Sequence, residues 1–218
     1  MEKIIPAFAE SLFEPTMDIA MEIAELGIDS VLDEGIIKSI PIAGLLVGLA
    51  KTAQNIYDRN LLRQTLAFIK AFNAKTIDKA KLEKYREKLK KNPGKEEEEL
   101  GRAIIILNKT TYLNKSKILG LLYRAYVNEN ISWLTFCELS DITDRLFLND
   151  LGLLKDIYAR KIKDTTQCTA YQAERLISIG LVDSATSGII MRSNGNNRTE
   201  KQIQPSTLGN QYCRIIFQ

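Results

Sequence analysis

The chain reads as mainly α: a multi-helix bundle followed by a small α+β tail, and three observations predict this. Apolar residues recur at spacings of three and four over most of the first three quarters of the chain. No alternating β-branched segment stands between Ala50 and Lys163, and hairpin turn chemistry is confined to the last quarter. A chain of 218 residues, 45% hydrophobic and 26% charged, carries enough apolar surface for a real core. The change of character after Lys163 divides it into a helical bundle over 1–163 and a tail over 164–218.

The first stretch is acidic. Residues 1–35 hold nine acids against one base, Lys3, a local charge of −8. Seven of the acids (Glu10, Glu14, Asp18, Glu22, Glu25, Asp29 and Asp33) recur every three or four residues, which on a helix makes one acidic stripe. Met17, Ala20, Met21, Ala24, Ile28, Val31 and Leu32 fall away from it, so an amphipathic helix is expected, started or kinked at Pro15 and stopped at Gly35.

Next comes the most apolar run, Ile36 to Ala50, IIKSIPIAGLLVGLA. Ser39 and Pro41 suit a helix start, and a helix is expected from there to about Asn73. Between Ile40 and Ala50 there is no charge, yet a helix of that length spans roughly 16 Å, about half a bilayer core. Gly44 and Gly48 form a G-x-x-x-G pair that lets a second backbone approach, in lipid or in a tight bundle. Pro41, Gly44, Leu45, Leu46, Gly48 and Leu49 are therefore the candidate residues for membrane contact or self-association; the other reading is a buried core helix. GLLVGLAKT fails as a phosphate loop, because Leu49 and Ala50 separate the last glycine from Lys51 and no strand precedes it.

Residues 36–110 hold sixteen bases and eight acids, a net of +8. Much of it lies in DKAKLEKYREKLKK (Asp78 to Lys91), read as a solvated helix or as a basic face for anionic lipid or nucleic acid. Asn92-Pro93-Gly94 ends that helix, and Glu96 to Glu99 open the next, where carboxylates suit the positive end of the helix dipole. Helices follow over Glu97–Asn108, Lys115–Asn128 and Trp133 to about Lys163, the last broken near Asn149–Gly152, with Ser132 as an N-cap. Ile104, Ile105, Leu121, Leu122, Phe136, Leu146 and Phe147 are among the residues assigned to bundle faces, with Trp133 as a core anchor.

In the tail, Tyr171–Ile179 reads as a helix ending at Gly180. Leu181–Asp183, Gly188–Arg192 and Gln202–Gln204 read as short strands around a turn at Ser193–Asn197. AERLISIGLVD (Ala173 to Asp183), the hairpin and IQPSTLGNQYCRII (Ile203 to Ile216) resemble a bacterial winged-helix module. That resemblance implies a helix–wing arrangement, often DNA-binding, with Arg192, Arg198 and Lys201 as the wing contacts. The helix over 169–179 carries one base, Arg175, beside Glu174, and residues 167–218 net only +2 (five bases, three acids), so a protein-contacting or domain-docking wing is favoured over a nucleic-acid reader. The layout of the N-terminal part resembles HeLo- and Bell-type bacterial effector domains, which implies an antiphage or cell-death role at membranes.

Histidine is absent, which removes His-based general bases, Ser-His-Asp and Cys-His nucleophiles and most zinc sites. Cys137, Cys168 and Cys213 are scattered, with no C-x-x-C pair, and no secretory signal opens the chain. The expectation is a cytoplasmic, non-enzymatic protein with no catalytic residues, metal or cofactor. It would act as an effector through oligomerisation or membrane perturbation by the 36–50 segment. The alternative is an interaction or regulatory protein that uses its tail, with nucleic acid as a further possible partner.

Overall fold

The structure is a computed structural model and describes residues 4–14, 40–49, 56–190 and 198–217, with the side chains of 47–49, 56–58, 187–190 and 198–199 left aside. The amphipathic helix expected over 15–35, Ser39, Arg192 and the wing turn lie outside the described residues. Among the described residues there are ten α-helices and one two-stranded antiparallel sheet. The chain divides into two compact units, Met1–Phe136 and Cys137–Gln218.

In the first unit, α1 (Ile4–Phe13) packs on α2 (Pro41–Leu49). The helix expected from the apolar run to Asn73 is described as α2 and α3 (Ile56–Asn73), with 50–55 outside the description. Next come α4 (Lys79–Lys91), α5 (Pro93–Lys109) and α6 (Leu113–Val127). Asp78 caps α4 by accepting from the N–H groups of Ala80 (2.9 Å) and Lys81 (3.1 Å). Asn92 ends α4 and caps α5, accepting from the Lys95 N–H, while Pro93 fills the first helical position, where its missing N–H costs nothing. The tightest pair is α3 on α6, because Gly120 removes the side chain that would hold the two backbones apart. Leu62, Leu66, Phe68, Phe72, Leu119, Leu122 and Tyr123 fill the core around it.

Helix α7 (Trp133–Arg145) starts at Ser132, whose Oγ accepts from the Thr135 N–H at 3.0 Å, and it contains the unit boundary. The second unit continues through a 3-10 turn (Leu148–Asp150), α8 (Leu151–Tyr158), α9 (Ala170–Ser178), β1 (Val182–Ile190), β2 (Arg198–Pro205) and α10 (Thr207–Ile216). Gly180, at φ 80°, supplies the left-handed residue that turns the chain out of α9. Its core includes Leu139, Ile142, Leu154, Ile157, Leu176, Val182, Ile203 and Tyr212. The change of composition at 163/164 falls before α9 and the hairpin, at the bridge from Asp164 to Gln202. The packing groups α8 and most of α7 with the tail, since α8 lies against β2, α9 and α10, and the Thr143 hydroxyl meets that of Tyr212 at 3.0 Å.

The strands differ from expectation in one respect. Leu181–Asp183 and Gly188–Arg192 were expected as separate pieces, but the polar residues between them stay on the ladder, Ser184 opposite Ile203 and Thr186 opposite Lys201. A backbone ladder needs no apolar side chains, and a bulge between Thr186 and Gly188 absorbs the register change. The outer edge of β2 is covered too, by a bridge from Asp164 to Gln202.

Two residues assigned to bundle faces are exposed instead, Ile105 at 54% and Phe147 at 61%. Ile104 to Leu107 is four apolar residues in a row, more than one helix face can bury, so one of them points outward. Phe147 lies past the end of α7, where its ring meets Arg175.

Candidate functional site

The apolar run is seated on α1. Ile40, Ile42, Ala43 and Leu46 are buried, as are Phe8 and Leu12 of α1, while Pro41, Gly44 and Leu45 are half-buried. Gly48 and Leu49 belong to the backbone of α2, and their surroundings lie outside the described residues. Among the described residues one polar tie fastens the start of α2: Ser11 Oγ accepts from the Ile42 N–H at 3.0 Å and donates to the Ala7 carbonyl at 2.8 Å. Orphan N–H groups at a helix start need such a partner, and here a neighbouring helix provides one. The cover seen over α2 is thus α1, an apolar helix with one acid, Glu10.

On its other side α1 meets α4 less closely. A groove of about 220 Å³ runs between them, floored by Pro6, Phe13 and Leu89 and edged by Glu10, Lys90 and Glu96. Glu14, just past the end of α1, pairs with Arg86 of α4, and the Phe13 ring stands edge-on to Tyr85 at 5.8 Å.

Directly behind Tyr85 lies a polar cluster in the core. Glu99, 2% exposed, accepts from the Tyr85 hydroxyl (2.8 Å) and the Tyr126 hydroxyl (2.9 Å) on Oε2, and from the Lys88 ammonium (2.8 Å) on Oε1. Lys88 also donates to the Tyr126 hydroxyl at 2.7 Å and lies 5.4 Å from the ring centres of both Tyr85 and Tyr126. The Tyr123 hydroxyl is 2.7 Å from that of Tyr85. Burial, then the neighbouring Tyr123 and Glu99, pushes the Tyr85 phenol far above its ordinary pKa, and burial raises Tyr123 likewise, so both stay neutral. A buried carboxylate is tolerable only when its oxygens find donors, and α4 and α6 supply three. The basic helix is therefore not wholly solvated: Lys88 is spent on the core. Glu99, expected with Glu96 to Glu98 to open the helix at its positive end, lies in the second turn of α5 and faces the core.

In the second unit, Asp150, 1% exposed, holds Arg175 through two bonds, from Nε at 2.8 Å and from Nη2 at 2.7 Å, and also accepts from Gln172 Nε2 at 2.9 Å. Burial pushes the Asp150 carboxyl up, but the bonds from Arg175 and Gln172 outweigh it and leave the carboxyl below its ordinary range. The Arg175 guanidinium lies 4.7 Å from the ring centre of Phe147 and 4.8 Å from that of Tyr171, both rings largely exposed. Of the wing candidates, Lys201 pairs with Glu174 of α9 at 2.7 Å, Arg198 sits opposite Ile190 on the ladder, and Arg192 lies outside the described residues.

Sequence reasoning missed Ser11, Tyr85, Lys88, Glu99, Tyr123, Tyr126, Asp150 and Phe147 as members of polar or cationic clusters. A signal was present for some: Tyr85 and Lys88 lie three apart, as do Tyr123 and Tyr126, which places each pair on one helix face. Nothing in the spacing ties either pair to Glu99. Among the described residues no group of acidic or cysteine side chains is placed to hold a metal ion, and no helix is long and apolar enough to cross a membrane. No family model matches the chain, and comparison with curated proteins and with solved structures returns no match.

Proposed function

We propose that this chain is a non-enzymatic effector that works by exchanging the cover of α2: the apolar segment leaves α1 to associate with further copies or to enter a bilayer face. The observation that carries this reading is the manner of attachment. Among the described residues the apolar segment rests on α1 and α3 through the buried side chains of Ile40, Ile42, Ala43 and Leu46 and through one polar tie, the Ser11 bond, while the bundle behind it is cross-tied by the Glu99 cluster. Uncovering Ile40, Ile42 and Leu46 costs roughly 5–9 kcal/mol at about 1.5–3 kcal/mol per side chain. A second copy or a lipid surface recovers that energy, so occupancy of the released state depends on what is offered. As α2 alone is too short to span a bilayer, membrane action on this reading works through assembled copies.

The test is dye release from vesicles by the full chain and by a Gly44→Leu, Gly48→Leu double variant under conditions that favour oligomers. Release by the wild type that the variant loses supports the reading; equal, absent release removes it.

The chain order α9, hairpin, α10 and the exposed rings of Phe147 and Tyr171 favour a second reading, in which a winged-helix-like tail binds a partner protein. A gel-shift series across salt with an Arg192, Arg198, Lys201 triple-alanine variant tests its nucleic-acid branch. A shift that weakens with salt and with the variant supports that branch, and no shift discards it.

A further inference from the structure

We propose that Arg175, with the rings of Phe147 and Tyr171, forms a docking site for a carboxylate side chain of a partner protein, one flanked there by apolar residues. The inference rests on the second reading above, of the tail as a partner-binding surface, and names what that surface recognises.

The chemistry starts from the donors of a guanidinium, five N–H groups in a rigid fork. Asp150 takes two of them, one on Nε and one on Nη2, which leaves three. Nη1 and the second Nη2 hydrogen make a complete edge, the geometry that a carboxylate accepts through both of its oxygens. Among the described residues no side chain or carbonyl bonds to that edge, and 35% of the Arg175 side-chain surface is open.

The edge is also held in place. Asp150 is buried and its two oxygens are engaged by Arg175 and Gln172, while the rings of Phe147 and Tyr171 both lie within 4.8 Å of the guanidinium. An arginine fixed in this way loses little side-chain freedom on binding. Phe147 and Tyr171, 61% and 62% exposed, offer apolar surface to the residues beside the incoming carboxylate, and aromatic rings around an arginine are the composition of an interface hot spot.

Charge favours a protein carboxylate over a phosphate backbone. Arg175 is the one base of α9, Asp150 balances it, and Lys201, which reaches α9 from β2, is taken by Glu174. A strand of phosphates calls for several cations, whereas one carboxylate calls for one fork.

The experiment is an NMR titration of the full chain that follows the Arg175 guanidinium and the amides of 147–150 and 170–175. The probes are two capped peptides, acetyl-Leu-Asp-Leu-amide and acetyl-Leu-Asn-Leu-amide. The acidic peptide is expected to saturate by about 10 mM and to bind at least about tenfold more tightly than the other, the difference a charge-assisted pair makes. Arg175→Lys keeps a cation for Asp150 but has no fork, so the preference for the acidic peptide is expected to drop at least about fivefold. Should Arg175→Lys not fold, a Phe147→Ser, Tyr171→Ser double variant takes its place: it leaves the Arg175–Asp150 pair intact and must weaken the acidic peptide at least about fivefold. A variant that binds as the wild type does overturns the site. Binding of both peptides alike also overturns it and leaves the tail a ring-borne protein surface, whereas a response to neither removes that surface as well. A tighter response to oligothymidylate than to the acidic peptide overturns the proposal in favour of nucleic acid.

Discussion

Gly120 of α6 lies directly against the carbonyl oxygen of Phe68 in α3. A Cβ built on Gly120 overlaps that oxygen and comes within 3.0 Å of Ala71 Cβ and 3.1 Å of the Phe72 nitrogen. Helix propensity alone favours alanine there by about 1 kcal/mol, whereas overpacking against backbone that cannot yield costs about 1–3 kcal/mol or more. Gly120→Ala is therefore expected to destabilise by about 2 kcal/mol, read as a lower urea midpoint. A midpoint that holds or rises denies the close seating of α3 on α6.

The second unit repeats the device and supplies its own control. A Cβ on Gly209 of α10 overlaps the Leu181 carbonyl, while one on Gly152 of α8 meets nothing within 4 Å. Gly209→Ala is expected to cost about 2 kcal/mol and Gly152→Ala to gain up to about 1 kcal/mol, opposite signs for the same chemical change. Equal effects in thermal melts would show that propensity, not the approach of backbones, decides both.

Local signals were legible in the sequence because each needs only a few neighbouring residues. Asn92-Pro93 between α4 and α5, Ser132 before α7 and Gly180 after α9 all mark the ends they were expected to mark. Pairings across the chain were not legible, for a physical reason: the partner of a buried polar group is set by tertiary packing. Ser11 and Ile42 are 31 residues apart, and Glu99 and Tyr126 are 27 apart. A run of four glutamates also looks uniform in sequence, though only Glu99 is buried. The same limit explains why the tail's core reaches back into α7, which by periodicity is one more bundle helix.

Asp150 gives the second unit a defined response to acid. Its folded carboxyl lies below the ordinary value because Arg175 and Gln172 outweigh burial, so the stability it contributes is present above about pH 4 and lost as pH falls through that lower value. Asp150→Asn is expected to lower the melting midpoint at pH 7 by roughly 5 °C, and the gap from wild type to close by about pH 2. A gap that persists unchanged in strong acid would mean the carboxylate charge contributes nothing.

The Ser11 hydroxyl is the point at which α2 can be loosened without touching its apolar face. Replacing it by alanine strands the Ile42 N–H in a buried first turn and removes no contact from Ile40, Ile42 or Leu46, so the loss is that of a cap, about 1 kcal/mol. Because the other described ties of α2 are apolar side-chain contacts, that loss is expected to appear locally, as a fall of roughly fivefold in amide protection over Pro41–Leu49 with α3 and α6 unchanged. If exchange of α2 proceeds only by opening of the whole first unit, protection falls equally in all three helices; α2 is then not separable from the bundle, and the exchange of its cover loses its physical basis.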